Sequence, residues 1–145
     1  MARIEEAVQI RYPVDKVFAY TTDAKKWPKW QSFITSAEKT SRGRMGVGAT
    51  FRGTNRLMGL GMKWTARVTE YQPNQKWAKS ITSGGMLIQE HVAYTPSETG
   101  TGFTIAYEMK AGGPLRPFLP LVASSMRKQA RKSLAKLKAI LEARA

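Results

Sequence analysis

The clearest pattern of hydrophobic and polar positions lies between Leu115 and Ala143. Projected at about 100° per residue, its apolar residues fall within an arc of about 160°, which predicts a helix of roughly 45 Å with one apolar face. That face carries Leu115, Phe118, Leu119, Val122, Met126, Ala130, Leu134, Leu137, Ile140 and Leu141. The opposite side carries Arg127, Lys128, Arg131, Lys132 and Lys138. We interpret the stretch as a core helix packed on a sheet. A basic amphipathic helix on a membrane or on nucleic acid is the alternative.

Upstream of this helix, alternating apolar and polar residues predict strands separated by turn residues. The predicted strands are Arg3–Tyr12, Phe33–Ser41, Ala49–Leu57, Lys63–Tyr71, Lys76–Thr82, Met86–Thr95 and Thr101–Met109. Pro13 and Asp23 are suited to begin two short helices between the first two strands. Because the later links are short, neighbouring strands should form antiparallel hairpins. The pattern therefore predicts an α+β fold in which a curved antiparallel sheet of about seven strands wraps the long C-terminal helix.

Prolines complicate the start of the long helix. Pro117 and Pro120 lie close together, and a proline is harmless only in the first turn of a helix. Regular helix is therefore predicted to begin between Arg116 and Leu119. The preceding residues, from Gly112 onward, should form a looser segment.

Length and composition narrow the class of protein. The chain has 145 residues, 42% of them hydrophobic, and no cysteine. We expect one domain, residues 1–145, with a sizeable core. No apolar stretch approaches the length of a transmembrane span, and the absence of cysteine excludes disulfides and thiolate metal sites. Both features fit a cytoplasmic protein.

The net charge of +14 is concentrated toward the C-terminus, where eight basic residues and no acidic one lie between Glu108 and Glu142. Such a field attracts RNA, acidic lipid and other anions without selecting one of them. The basic helix has no aromatic residue beyond Phe118, so nucleic acid is an unlikely partner. Peripheral contact with a membrane stays open, and the pattern does not define an oligomeric state.

Several short motifs resemble the START-like, or SRPBCC, superfamily, and within it the polyketide cyclase/dehydrase and lipid-transport group. They are Pro13-Val14 with Val17-Phe18, Asp23, Trp27-Pro28-x-Trp30, Gly46-x-Gly48-Ala-Thr-Phe51, Val68-x-Glu70-Tyr71-x-Pro73 and Gly100-Thr101. Their order and spacing cover the whole chain. The resemblance implies a helix-grip fold with an apolar cavity between the sheet and the terminal helix. It does not imply one activity, because the superfamily includes carriers as well as enzymes.

Strand parity, the helix face and the resemblance together suggest which residues line such a cavity. They are Trp30, Phe51, Trp64, Ile88, Glu90, Phe103, Tyr107, Leu115, Phe118, Val122 and Met126. The turn from Met58 to Met62 either closes over an apolar ligand or packs on the core as a hairpin tip. We expect an apolar or amphipathic small molecule to bind in the cavity without a cofactor. A cyclase or dehydratase acting on a polyketide-like substrate is one alternative, and a basic module for anionic surfaces is another.

Few residues are candidates for chemistry. His91 is the only histidine, which excludes a histidine-pair metal site. Because Val92 and Tyr94 are expected on the buried face of their strand, alternation predicts that His91 lies on the exposed face. Glu90 is expected on the concave face, where it contacts a polar ligand group or acts as a base, with Tyr107 as a second candidate for proton transfer. Alternatively, Glu90 pairs with a nearby Arg or Lys at the cavity mouth, or a bulge turns it outward. We identify no catalytic residue and no metal site.

Overall fold

The computed structural model describes residues 2–57 and 59–145. Within them, strands form one antiparallel sheet in the order β1-β7-β6-β5-β4-β3-β2. The strands are β1 Ala2–Ile10, β2 Ile34–Lys39, β3 Thr50–Leu57, β4 Leu60–Gln72, β5 Lys76–Ser83, β6 Met86–Ser97 and β7 Gly100–Ala111. The helices are α1 Val14–Thr21, α2 Trp27–Trp30 and α3 Leu119–Glu142, with single 3-10 segments at Ala24–Lys26 and Gly113–Phe118. The predicted α+β, helix-grip architecture is confirmed.

The short helices carry the chain from one edge of the sheet to the other. Pro13, with extended backbone, is the residue before α1, and the Asp23 side chain caps the following 3-10 turn by accepting a hydrogen bond from the Lys25 N–H at 3.1 Å. The Trp27 indole N–H donates to the Thr21 carbonyl at 2.8 Å, which ties α2 to α1. Since Trp27 and Trp30 are both buried, α2 covers part of the concave face of the sheet.

The long helix α3 begins at Leu119, within the predicted range, because Pro120 falls in its first turn while Pro117 lies in the preceding 3-10 segment. We call that segment, Gly113–Phe118, the lip segment. From Leu119 on, α3 packs across β1 and β7 with one buried face. The buried residues of α3 are Leu119, Ala123, Met126, Ala130, Ser133, Leu134, Leu137 and Leu141.

Register decides which side chains share the concave face. Cross-strand partners on this face are Trp64 and Ser83, Lys79 and Glu90, Glu90 and Tyr107, and Tyr107 and Ile4. The β3 partner of Trp64 is Gly53, where a Cβ would lie 2.5 Å from the indole ring of Trp64 and 2.0 Å from the Ser36 carbonyl oxygen. Only glycine fits there, because any side chain would collide with the Trp64 ring and with the Ser36 carbonyl.

No helix in the described part of the chain is long and apolar enough to cross a membrane.

Candidate functional site

A cavity with a volume of about 50 Å³ lies between the concave face and the N-terminal half of α3. Its walls come from the residues after α2, from strands β2 to β7 and from α3. The lining residues are Gln31, Phe33, Ile34, Asn55, Met62, Trp64, Lys79, Ile81, Ser83, Met86, Ile88, Glu90, Tyr107, Val122 and Met126. Most of this surface is apolar, and the polar groups come from Gln31 and from strands β3 to β7.

Of the residues predicted to line a cavity, several border this one: Trp64, Ile88, Glu90, Tyr107, Val122 and Met126. Trp30, Phe51 and Phe103 do not, since they lie in a closed aromatic core at 2%, 2% and 0% exposure. Helix α2 is the reason why Phe51 and Phe103 do not border the cavity. Its Trp27 ring lies 5.0 Å from the Phe51 ring, and its Trp30 ring lies 5.9 Å from the Phe103 ring. These side chains fill the space that strand parity alone left open.

Leu115 and Phe118 were predicted to line a ligand cavity, and the structure places both outside this one. They are 37% and 57% exposed and do not border the cavity. Both belong to the lip segment, where Pro114 and Pro117 accompany a 3-10 conformation instead of α-helix. The 100° projection holds only for α-helix, so it placed these side chains on the wrong side.

The cavity also includes Lys79, Ile81 and Ser83 of β5, which are not among the predicted lining residues. Their alternation with Trp77 is visible in the sequence and would have placed them beside Glu90. Gln31, Phe33 and Ile34 had no comparable signal, whereas Asn55 shares its parity with Phe51 on β3. Met58 lies outside the described residues. Met62, at the other end of the same turn, does line the cavity, while Leu60 is 66% exposed.

Lys79 and Glu90 form a buried ion pair in the cavity wall. Lys79 Nζ lies 3.5 Å from Glu90 Oε2, and the two side chains are 3% and 4% exposed. The ammonium also lies 3.7 Å from the ring centroid of Trp27 and 5.1 Å from that of Trp77. Burial lowers the pKa of Lys79, while the charge of Glu90 acts in the opposite direction. Glu90 therefore pairs with a lysine, as in one of the alternatives, and the pair is buried inside the protein instead of lying at the cavity mouth.

Tyr107 is the cross-strand neighbour of Glu90 on β7 and is 3% exposed. Burial, and secondarily the nearby Glu90 carboxylate, raise the pKa of the Tyr107 hydroxyl well above 10.0. Tyr107 therefore keeps its proton at neutral pH and can serve as a hydrogen-bond donor. It is not suited to act as a base.

Two further polar atoms belong to side chains that line the cavity. Asn55 Oδ1 is an acceptor and Trp64 Nε1 is a donor, and both are buried without a hydrogen-bond partner among the described residues. A buried polar group left unpaired costs about 1–3 kcal/mol. Asn55 Oδ1 therefore favours a ligand group that donates a hydrogen bond, and Trp64 Nε1 favours one that accepts a hydrogen bond.

His91 lies outside the cavity, on the opposite face of β6. Its side chain is half exposed, and Nε2 lies 3.1 Å from Glu108 Oε1, in agreement with the surface position predicted from parity. The described residues contain no cluster of three or more His, Asp or Glu side chains able to hold a metal ion.

A curved sheet that grips a long helix over an internal cavity defines a class of ligand-binding and catalytic domains. The chain belongs to the polyketide cyclase / dehydrase and lipid transport family, whose sequence model matches residues 1–142. A comparison with curated proteins found no match.

Solved structures with the same fold come from several bacteria. A START superfamily protein from Mycobacterium smegmatis has 13% sequence identity and a TM-score of 0.83, with 99% of each chain covered. The protein TTHA0849 from Thermus thermophilus has 16% identity and a TM-score of 0.83, again with 99% of each chain covered. The protein DR_A0006 from Deinococcus radiodurans has 17% identity and a TM-score of 0.73, with 100% of each chain covered. At these identities the likeness concerns the fold.

Proposed function

We propose that this protein binds an apolar or amphipathic small molecule in the cavity beneath α3, without a cofactor. The observation that carries the proposal is the composition of the wall. An apolar lining surrounds the Lys79–Glu90 pair, the protonated Tyr107 and two unpaired polar atoms. Ligand sites in proteins combine apolar walls with a few convergent polar groups in this way.

The polar groups also indicate the chemistry of the ligand. Because Lys79 and Glu90 neutralise each other, neither an anionic nor a cationic head group is favoured over the other. A neutral hydroxyl or carbonyl group fits better, since Tyr107 and Trp64 offer donors and Asn55 offers an acceptor. The proposed ligand is therefore largely apolar, with one or two neutral polar groups.

The size of the cavity sets a condition on binding. Sites for drug-sized ligands occupy about 300–1,000 Å³, whereas this cavity measures about 50 Å³. Its walls must therefore move apart to admit such a ligand. Met62, Met86 and Met126 all line the cavity, and methionine changes shape at low cost because its side chain is unbranched.

A pair of adjacent residues on α3 provides the test. Val122 lines the cavity, whereas its neighbour Leu121 is 55% exposed. Val122→Trp should fill the cavity and weaken binding of the neutral probe N-phenyl-1-naphthylamine by about tenfold or more. Leu121→Trp should bind the probe as the wild type does. Fluorescence titration measures both, with thermal unfolding as a check that each variant is folded.

Two results would oppose the proposal. One is the absence of saturable probe binding by the wild-type protein, together with no small molecule in native mass spectra of protein purified from its own host. The other is equal binding by the Val122→Trp and Leu121→Trp variants, because the probe would then sit elsewhere.

Proton transfer is a second candidate function, favoured by the position of Glu90 between Lys79 and Tyr107 across three strands. In a cyclase or dehydratase, Glu90 would accept a proton from the substrate carbon next to a ketone. Tyr107 would donate a hydrogen bond to the ketone oxygen as it becomes an enolate. Deuterium uptake by α-tetralone in heavy water, followed by proton NMR, tests this. Catalysed uptake should disappear in Glu90→Gln and Tyr107→Phe. If the wild-type protein does not accelerate uptake, this candidate fails, whatever the outcome of the probe titration.

A further inference from the structure

Exposed apolar side chains are concentrated at one end of the molecule. Among the described residues, the large hydrophobic side chains exposed to solvent are Leu60, Leu87, Leu115, Phe118, Leu121 and Val47. All except Val47 belong to the β3–β4 hairpin, the β5–β6 hairpin, the lip segment or the first turn of α3. Val47 precedes β3 in a loop whose Gly48 bonds to Val68, toward the far end of β4.

Contacts show that these segments meet. Leu115 Cδ1 of the lip segment lies 3.1 Å from the position that a Cβ on Gly85 would take, in the β5–β6 turn. Met62 Cε, next to the β3–β4 turn, lies 2.6 Å from the corresponding position on Gly84. We call this convergence, made of residues 54–57, 59–64, 80–88 and 109–128, the lip end of the molecule.

The lip end also carries a net positive charge. The sequence of the lip end contains no acidic residue, and its exposed basic residues are Arg56, Lys63, Lys110, Arg116, Arg127 and Lys128. No ion pair between described residues involves any of these six. The opposite end carries Asp15, Glu70, Glu98 and Glu142, and there the Glu142 carboxylate accepts a hydrogen bond from the Arg11 N–H at 2.9 Å.

We propose that the lip end docks on the surface of a lipid bilayer that contains anionic lipids. Exposed leucine and phenylalanine side chains on separate turns can enter the boundary between head groups and acyl chains, while the surrounding Lys and Arg side chains contact lipid phosphates. Nucleic acid would satisfy the charges but leave the apolar side chains in water. The combination of exposed apolar and basic groups, with no acidic residue within the lip end, is complementary to an anionic membrane.

Docking of this kind places the cavity next to the bilayer. Met62 and Met86 line the cavity and lie beside the two hairpin turns of the lip end, while Val122 and Met126 line it from α3. An apolar molecule moving between membrane and cavity would then cross little water. The docking surface itself does not depend on the proposed function, because it would bind lipid vesicles even if the cavity took no ligand.

Vesicle sedimentation tests the proposal with the full chain. The wild-type protein should sediment with mixed phosphatidylcholine–phosphatidylglycerol vesicles and stay in solution with phosphatidylcholine alone. The double variants Phe118→Ser/Leu121→Ser and Lys110→Gln/Arg116→Gln should each weaken binding to the mixed vesicles by about tenfold or more. All four positions are exposed, so these variants should remain folded.

Matched controls come from the other end of the molecule. Val47→Ser removes an apolar side chain that is 69% exposed, more than Phe118 or Leu121, and Arg11→Gln/Lys16→Gln removes the same charge as the basic double variant. Both controls should bind mixed vesicles as the wild type does. In addition, Phe118→Trp should show a blue shift of tryptophan emission on adding mixed vesicles, whereas Val47→Trp should not.

Three results would overturn the proposal. Equal weakening by the Arg11→Gln/Lys16→Gln control would mean that net charge alone causes adsorption. Undiminished binding by Phe118→Ser/Leu121→Ser would mean that the apolar residues do not enter the bilayer. Binding to single-stranded RNA that requires Lys110 and Arg116 but not Phe118, without binding to mixed vesicles, would identify nucleic acid as the partner.

Discussion

At its C-terminal end α3 is held on β1 by packing and by charge, whereas at its N-terminal end it continues into the exposed lip segment. Leu137 and Leu141 are fully buried, Lys138 Nζ donates to the Gln9 carbonyl at 2.6 Å, and Arg131 pairs with Glu6 of β1. At the other end, Phe118 and Leu121 are more than half exposed, and Val122 and Met126 border the cavity.

The difference shows that one helix serves two purposes along its length. The C-terminal half contributes burial, at about 1.5–3 kcal/mol for each fully buried leucine. The N-terminal half leaves apolar surface exposed to water, so it contributes less burial free energy to the stability of the fold. Regions of low packing are where proteins open locally and where binding usually occurs. We therefore expect substitutions in the two halves of α3 to differ in their effects, and the buried Lys79–Glu90 pair of the cavity wall to differ from an ion pair on the surface.

The largest expected effect comes from placing a charge in the packed half. Leu134 is 3% exposed, and Leu134→Asp should leave the chain unfolded because a buried, unpaired carboxylate costs several kcal/mol. Leu121→Asp makes the same chemical change in the first turns of α3, where the side chain is 55% exposed, and should alter stability by less than about 0.5 kcal/mol. Urea unfolding followed by circular dichroism measures both. Similar stabilities for the two variants would contradict the described packing of α3.

The next effect concerns the ion pair in the cavity wall. Removing one partner leaves the other charged and buried, so Lys79→Met and Glu90→Leu should each destabilise the fold by about 3–5 kcal/mol. The double variant should recover most of that loss, because two apolar side chains then face each other. A double-mutant cycle in urea isolates the interaction.

A surface pair serves as the control for that cycle. Arg3 and Glu5 lie 3.1 Å apart at 54% and 52% side-chain exposure, and their coupling should stay below about 1 kcal/mol. If the Lys79–Glu90 coupling were equally small, the two side chains would be hydrated and the cavity wall would be more open than described.

The smallest effect is dynamic and leaves stability unchanged. Amides from Leu115 to Leu121 should exchange hydrogen much faster than those from Lys128 to Leu137, since the lip segment lacks the packing of the later helix. Adding N-phenyl-1-naphthylamine should slow exchange in the first group alone. Hydrogen exchange read by mass spectrometry can decide this. Uniform protection along α3, unchanged by the probe, would place ligand entry elsewhere.

The sequence predicted the fold well where a regular period ran unbroken. The seven strands and α3 lie close to their predicted bounds because their periods of two and 3.6 residues persist over many residues. The candidate site was predicted in part, because Glu90, Tyr107 and Met126 follow from the same periods. Trp30 and Phe103 were misplaced because the position of α2 on the sheet is a tertiary contact, which no local pattern encodes. Leu115 and Phe118 were misplaced because proline changed the period before α3.

Pairing of β1 with β7 has a consequence for folding. Ala2 pairs with Met109 and Ile10 with Thr101, so the first strand acquires its neighbour only after most of the chain is present. Closing so long a loop is entropically costly, and contacts that are distant in sequence slow folding. The hairpins from β2 to β7 can form earlier from local contacts. We therefore expect β1 and α3, which pack on each other, to join a preformed sheet in a late step of folding.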